Sequence, residues 1–387
     1  MVVYITTQGA RIIKEGKHLL VKKGDDIYHT LFTYKLDQVI IFGNVEISPR
    51  ALAQLMRHGI DLVFLNSKGR YLGRIAPLES KNVFLHKRQY ALLDDEEFVM
   101  RFARSIVVGK LTNMATFLMR IKRTKKEPVA GQRAQEIQAL INKLEEINNL
   151  ESLRGYEGRG SALYFEGLSR GFTQDMGFRR RIRRPPTDPV NSVLSLLYTF
   201  LMNRVYAAVR IAGLDPYPGF LHSLDYGRFS LVLDLMEEFR PIIVDTLTLS
   251  LFNLKILKHD DFVVEKPDHL VSNQNLSEAG QLPDVSKDPI GLMYFNDESE
   301  EFFDLPEQRM EENPEGIAAP TGKYPVKLKG EALNRVIEAF EKKLTTPFYH
   351  PLAERNLTYA DAIIFQAGLC RKVIEGELSQ YQPLLLK

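Results

Sequence analysis

The chain of 387 residues contains a single cysteine, Cys370. No internal disulfide can form, and no cysteine-based zinc site can be assembled. Long apolar runs are missing too. The longest candidate, Val193 to Met202, is cut by Asn203 and Arg204, short of the ~20 residues that a membrane span needs. The opening MVVYITTQGA has no basic start followed by an apolar stretch, so no secretory pattern is visible. These absences predict a cytoplasmic protein with no membrane partner. A strong overall charge is also lacking, since the formal net charge is only +2, but that small figure hides an uneven distribution. Asp260 to Gly316 holds 16 acids and 3 bases, a local −13, which leaves +15 on the remainder. A basic body of that size suits a phosphate-backbone partner. A surface made basic for solubility alone is the plainer alternative.

What is present is ordinary globular material, 44% apolar and 26% charged, long enough for more than one core. Residues 1–76 read as strands: VVYIT, RIIKE, HLLVK, DIYHTLF, QVIIF and DLVFL are short β-branched or aromatic runs, with Gly9, Gly16 and Gly24 as turn residues. Ser48 before Pro49 opens a short helix, Ser48 to His58, and Asn66 to Gly69 turns the chain into Tyr71–Ile75. From residue 83 the apolar spacing becomes three and four. The helices predicted are Asp94 to Met119, Gln132 to Leu150, Asp188 to Ala212, Phe229 to Arg240 (stopped by Pro241), Pro241 to Leu257, Leu333 to Leu344 and Tyr359 to Leu378. The predicted class is α+β: a small N-terminal β-sandwich (1–76), a linker (77–82) and a larger all-helical domain (83–387). An acidic, proline-rich, aperiodic insertion interrupts the latter at about 258–323. The tail Tyr381 to Lys387 is expected to be extended or disordered.

The stretch Asp215 to Pro241 carries the chemistry. His222 follows a loop stiffened by Pro216 and Pro218, and Asp234 and Glu237, three apart, share one helix face. An imidazole beside two carboxylates suits Mg²⁺ or Mn²⁺; a satisfied core histidine with two solvated acids is the bland reading. Glu157 is flanked by Gly155, Gly158 and Gly160, glycines that make sense where a ligand or backbone comes close; a surface acid in a turn is the alternative. The run Arg179, Arg180, Arg181, Arg183 and Arg184 is expected to stay out of the core and face solvent or polyanion. Arg120, Lys122 and Arg123 end a helix, where cations are favoured by the helix dipole and can also meet phosphate. Asn191, Ser195 and Tyr198 form a polar stripe that either lines a pocket or satisfies buried backbone groups.

Several of these motifs stand together in a familiar order. Gly155-Tyr-Glu-Gly-Arg-Gly-Ser-Ala-Leu-Tyr-Phe165, Arg184-Pro-Pro-Thr-Asp-Pro-Val-Asn191, Gly219-Phe-Leu-His222, Gly227 to Pro241, and the late Gln366-Ala367 and Tyr381-Gln-Pro383 resemble the CRISPR-associated spacer-acquisition endonuclease and integrase. The resemblance covers nearly the whole chain. It implies a metal-dependent DNA endonuclease/integrase that inserts short foreign DNA fragments into a CRISPR array by phosphodiester transesterification and cleaves branched DNA. It implies that Glu157, His222 and Glu237 bind Mg²⁺ or Mn²⁺, with Asp234 as a further possible member. Some relatives carry Asp at the position of Glu237, and both are hard-metal ligands. It also implies double-stranded DNA with the CRISPR repeat as substrate, a homodimer joined through the β domain, and a small ferredoxin-like partner protein. The acidic insertion is longer than the resemblance leads one to expect. A DNA-binding scaffold with no competent site is the rival reading.

Overall fold

Strand β5, Gln38–Phe42, is buried at every position. Side chains alternate across a strand, so two apolar faces need two partners, and the fold supplies both. Val39 and Ile41 join a small core with Ile12, Val21 and Leu55, while Ile40 and Phe42 join the main core of the molecule. β7, Asp61–Leu65, divides the same way, Leu62 to the small core and Val63 and Leu65 to the main one. These strands lie inside a mixed four-stranded sheet of order β1-β5-β7-β8, with β1 at Val2–Ile5 and β8 at Tyr71–Ile75. β1 and β7 run parallel to β5, and β8 runs antiparallel to β7. A second four-stranded sheet has the order β4-β3-β2-β6: Asp26–Leu31, His18–Lys23, Ala10–Glu15 and Val45–Ile47. Helix α1, Pro49–Arg57, starts at Ser48, whose Oγ accepts the Ala51 amide at 3.3 Å.

The structure is a computed structural model that describes residues 1–67, 69–76, 82–182, 185–264 and 324–386. Most of the predicted linker, Arg183 and Arg184, and residues 265–323 of the acidic insertion lie outside the described residues. The helical part comprises α2 (Val83–Ala91), α3 (Glu96–Lys125), α4 (Pro128–Ile141), α5 (Leu150–Ser169), α6 (Pro189–Ile211), α7 (Ser230–Met236), α8 (Thr246–Asn253), α9 (Gly330–Leu344) and α10 (Tyr359–Glu375). The chain is mixed α/β, with its strands concentrated at the N-terminus and helices after them.

The expectation of an all-helical second part is corrected by two small antiparallel pairs. β11 (Pro347–His350) pairs with β12 (Arg355–Thr358), and β9 (Phe262–Val264) pairs with β10 (Val326–Leu328). The second pair sets Val264 opposite Val326, so the two ends of the acidic insertion meet at its base. The predicted helix Gln132 to Leu150 ends early: α4 stops at Ile141, a short 3-10 turn follows at Leu144–Glu146, and a separate helix, α5, begins only at Leu150, where Asn149 Oδ1 accepts the Ser152 amide at 2.8 Å. Pro241 does not stop the chain from coiling either. It sits in a widened π-type turn, Arg240–Asp245, that leads straight into α8. Proline is accepted there because it stands in the first turn of the segment, where an amide would have no partner within that segment.

By length and composition α6 is a helix apolar enough to cross a membrane, although the sequence reading ended its apolar run at Met202. It continues through Asn203, whose Nδ2 donates to the Thr199 carbonyl at 2.9 Å, and most of it is buried in protein. The N-terminal strands are sewn to the helices by Tyr4 OH to Glu341 Oε1, 2.6 Å, by Arg204 to that same carboxylate at 2.5 Å, and by Thr6 to Asn334 at 3.1 Å.

Candidate active site

Gly219 lets the loop before α7 lie flat against the start of that helix. A Cβ there would stand 2.5 Å from the Ser230 carbonyl carbon and 2.8 Å from the Leu231 nitrogen, both backbone atoms that cannot turn aside. The same approach allows the Leu231 amide to donate to the Pro216 carbonyl at 3.2 Å. Asp234, fully buried one turn into α7, then gathers the loop. Its Oδ2 accepts the amides of Phe220 (2.6 Å) and Leu221 (2.9 Å), and its Oδ1 accepts the His222 amide (2.9 Å). His222 Nδ1 sits 2.7 Å from that same Oδ1. One imidazole nitrogen is thereby fixed by a carboxylate, and Nε2 is turned toward Glu237, 4.0 Å from its Oε1. Both oxygens of Asp234 are taken up in ordering the loop.

Glu157 arrives from α5. Gly160, one turn on, makes room for α3: a Cβ at 160 would meet Leu111 Cδ2 at 2.4 Å. The sequence marked this glycine as a place where a ligand or backbone comes close, and at Gly160 the close approach is that of a neighbouring helix. The close crossing brings Glu157 beside Lys110 of α3. The Lys110 ammonium bonds to Glu157 Oε1 and also to Glu237 Oε2 at 2.5 Å. Ser161 Oγ donates to Glu157 Oε1 at 2.8 Å, and Arg240 Nε stands 3.1 Å from Glu237 Oε1. The Arg240 guanidinium lies over the Tyr198 ring at 4.7 Å. Burial pushes the Glu237 carboxyl up, but Arg240, Lys110 and His222 outweigh it and hold the group down at about 2. Burial likewise pulls Lys110 down, and the two glutamates more than reverse that.

The tail, expected to be extended or disordered, is extended and built into the core, with Tyr381 and Leu384 almost wholly buried. Glu238 accepts from Gln366 Nε2 (3.1 Å), from Tyr381 OH (2.6 Å) and from the Leu384 amide. Asn113, less than one turn after Lys110, donates to the Glu238 and Leu384 carbonyls and accepts the Leu386 amide at 2.7 Å. Burial raises the Glu238 carboxyl to about 7, against the pull of these donors. Asp245 is raised to about 6 by burial, although Tyr164 and Tyr198 each donate to it at 2.6 Å. The segments that carry Glu157, Glu237 and Lys110 are therefore tied together beneath the site by buried hydrogen bonds.

The predicted phosphate-contacting residues do not form one group. Arg181, expected to stay out of the core, donates to Asn191 Oδ1 and Ser195 Oγ, each at 2.9 Å, and lies over the Tyr198 ring. Burial lowers its pKa to about 10. Against that expectation, the polar stripe of α6 receives an arginine and the backbone of 180–182, so the guanidinium of Arg181 is committed to the fold. Arg179 pairs on the surface with Asp175 at 2.5 Å. Lys122 and Arg123 are exposed, and Arg120 is half-buried, about 15 Å along α3 from Lys110 by helical rise.

Glu157, His222 and Glu237 thus come together from three separate segments. Sequence reasoning missed Lys110 and Arg240, the two cations among them. The signal for Lys110 was its position four residues after Ile106 and four before Met114, on the buried stripe of α3. With the ammonium between the glutamates, no three His, Cys, Asp or Glu side chains among the described residues close on a common ion. The donor set itself fits a hard divalent ion: two carboxylates, an imidazole nitrogen oriented from behind by a third carboxylate, and a cation already standing between the two glutamates.

The sequence model of the family described as CRISPR associated protein Cas1 matches residues 3–279. A relative from Chlorobaculum tepidum, named CRISPR-associated endonuclease Cas1 1, is 34% identical over 389 residues, covering 99% of this chain and 97% of its own. Two solved structures share the fold. One is a Cas6-RT-Cas1–Cas2 complex (TM-score 0.75, 23% identity, 99% of this chain and 36% of that one), and the other a casposase bound to integration product (TM-score 0.74, 19% identity, 98% and 92%). From the strands near its N-terminus to the α7 segment that holds Asp234 and Glu237, the chain belongs to the Cas1 family of CRISPR-associated proteins.

Proposed function

We propose that the protein is a metal-dependent DNA endonuclease and integrase that joins short DNA fragments into a CRISPR array by phosphodiester transesterification and cleaves branched DNA. The observation that carries this is that Lys110 pairs with both Glu157 and Glu237, while His222 Nε2 faces Glu237 at 4.0 Å. Bound Mg²⁺ or Mn²⁺ supplies Lewis-acid polarisation of a phosphoryl oxygen and a counter-charge for the attacking or leaving oxygen. Glu157 and Glu237 hold that ion, and His222 Nε2 completes the set. Asp234 keeps the imidazole and its loop in register, through His222 Nδ1 and three amides. Arg240 braces Glu237 from the side. Lys122, Arg123 and Arg180, all exposed, would contact the phosphate backbone, which orients DNA without reading its sequence.

The homodimer reading is supported by β4, an edge strand with Ile27, Tyr28 and the following Phe32 and Tyr34 all exposed. Unpaired apolar edges invite pairing with another chain. The small ferredoxin-like partner and the CRISPR repeat follow from family membership and belong to the same proposal. The scaffold reading has one observation in its favour, the closed ion pairs that Lys110 makes in the site.

A half-site integration assay with labelled DNA, with and without Mg²⁺ or Mn²⁺ and the partner protein, separates the two. Metal-dependent joining that disappears in Glu157→Gln, His222→Ala and Glu237→Gln is expected, with DNA binding retained. Binding without turnover in the wild-type protein under every metal condition would establish the scaffold instead.

A further inference from the structure

We infer that Lys110 is the protein's own counter-ion for the metal site: its ammonium holds Glu157 and Glu237 together when no divalent ion is bound, and it gives up that place when one binds. This rests on the reading of Glu157, His222 and Glu237 as metal ligands. The side chains of Lys110, Glu157 and Glu237 are only 8%, 16% and 4% exposed, so water does little to screen the two carboxylates from each other. Without a cation between them they would repel and separate. Lys110 removes that repulsion and keeps both oxygens aimed at one point.

The charge balance forces the exchange. In the metal-free site two carboxylates face two cations, Lys110 and Arg240, and the set is neutral. Even with the buried Asp234 carboxylate counted behind His222, adding a divalent ion while both cations stay would leave an excess of positive charge in a largely buried place, which is disfavoured. One cation must move. Arg240 is wedged between Glu237 and the Tyr198 ring, whereas Lys110 carries its charge on a four-carbon stem with rotatable donors. Lys110 therefore competes with the divalent ion and at the same time preserves the geometry the ion requires.

The test uses the full-length protein without DNA. Free Mn²⁺ is titrated by electron paramagnetic resonance into the wild type, Lys110→Met and Lys110→Arg, and melting is followed in EDTA and in Mn²⁺. The Met variant is expected to melt lower than wild type in EDTA and to bind Mn²⁺ about tenfold more tightly or better, with Lys110→Arg close to wild type. Equal or weaker Mn²⁺ binding by a folded Met variant overturns the inference. If wild type and Glu237→Gln show the same lack of Mn²⁺ binding, the metal-site reading itself falls and this one with it. Should Lys110→Met fail to fold, wild-type protein decides the matter. Acetylation of Lys110 by acetic anhydride, read by peptide mass spectrometry, is expected to rise when Mn²⁺ is present, and an unchanged rate refutes the exchange.

Discussion

Replacing Asp234 by Asn keeps the shape of the side chain and removes half of its accepting capacity. The carboxylate serves three amides and one imidazole nitrogen, all within 2.6–2.9 Å, from a fully buried position. An amide side chain offers one oxygen, and its NH₂ would face donors. At least one of the Phe220 and Leu221 amides, or the His222 pair, then loses its acceptor, and each buried donor left unmade costs about 1–3 kcal/mol. Losing the charge weakens the bonds that survive, because bonds to charged groups are worth about 1.5–3 kcal/mol against about 1 for neutral ones. A total near 3–4 kcal/mol follows. That is well below the 5–15 kcal/mol typical of whole-domain stability, so the variant is expected to fold. The damage should be local. Hydrogen exchange read on peptides spanning 217–226 should show protection at 220–222 falling by roughly 10²–10³-fold, at ~1.4 kcal/mol per factor of ten. Amides in α3 and α6 should be unaffected. Metal-dependent joining should fall with it, because His222 loses its orientation. Unchanged protection at 220–222 would show that the loop is held by something other than Asp234 and would refute the argument.

Three further outcomes follow from the geometry. Glu238 titrates near 4.5 when unfolded and near 7 in the fold, so the folded state keeps its proton across that window. Its contribution is complete below pH 4.5 and is lost as pH rises through 7, at up to about 1.4 kcal/mol per unit, and Asp245 acts in the same sense from 3.8 to about 6. Urea melts of Glu238→Gln should show a shallower decline over pH 4.5–7 than wild type, and an identical slope counts against the assignment. Gly219→Ala forces a Cβ onto backbone atoms 2.5–2.8 Å away, so a loss of about 2 kcal/mol or more and a displaced His222 are expected, read by thermal melting and by Mn²⁺ affinity. A protein as stable as wild type would mean that the loop has slack. Charging the β4 edge with Ile27→Lys and Tyr34→Glu should shift sedimentation from dimer to monomer with the circular dichroism unchanged, and an unaltered dimer would move the interface elsewhere.

The N-terminal strands were legible because β-branched runs and turn glycines act locally, and the meeting of Glu157, His222 and Glu237 was legible through motif resemblance. What escaped the sequence was non-local. Pro241 looks like a break between two helices, and the widened turn Arg240–Asp245 shows that coiling runs through it without one. The arginine run looks solvated until α6 supplies Asn191, Ser195 and Tyr198 to one of its members. Gly160 reads as an opening, and its occupant, Leu111, lies 49 positions earlier in the chain. The tail lacks periodicity because its order comes from Glu238 and Asn113, groups on other elements.

The double-sided burial of β5 and β7 has a practical consequence. Expressed alone, residues 1–76 would present Ile40, Phe42, Val63 and Leu65 to water, a greasy wall that the helices normally cover. Such a fragment would stick to itself through the wrong face, and any stoichiometry measured on it would describe that artefact. Oligomer measurements on this protein therefore belong to the intact polypeptide.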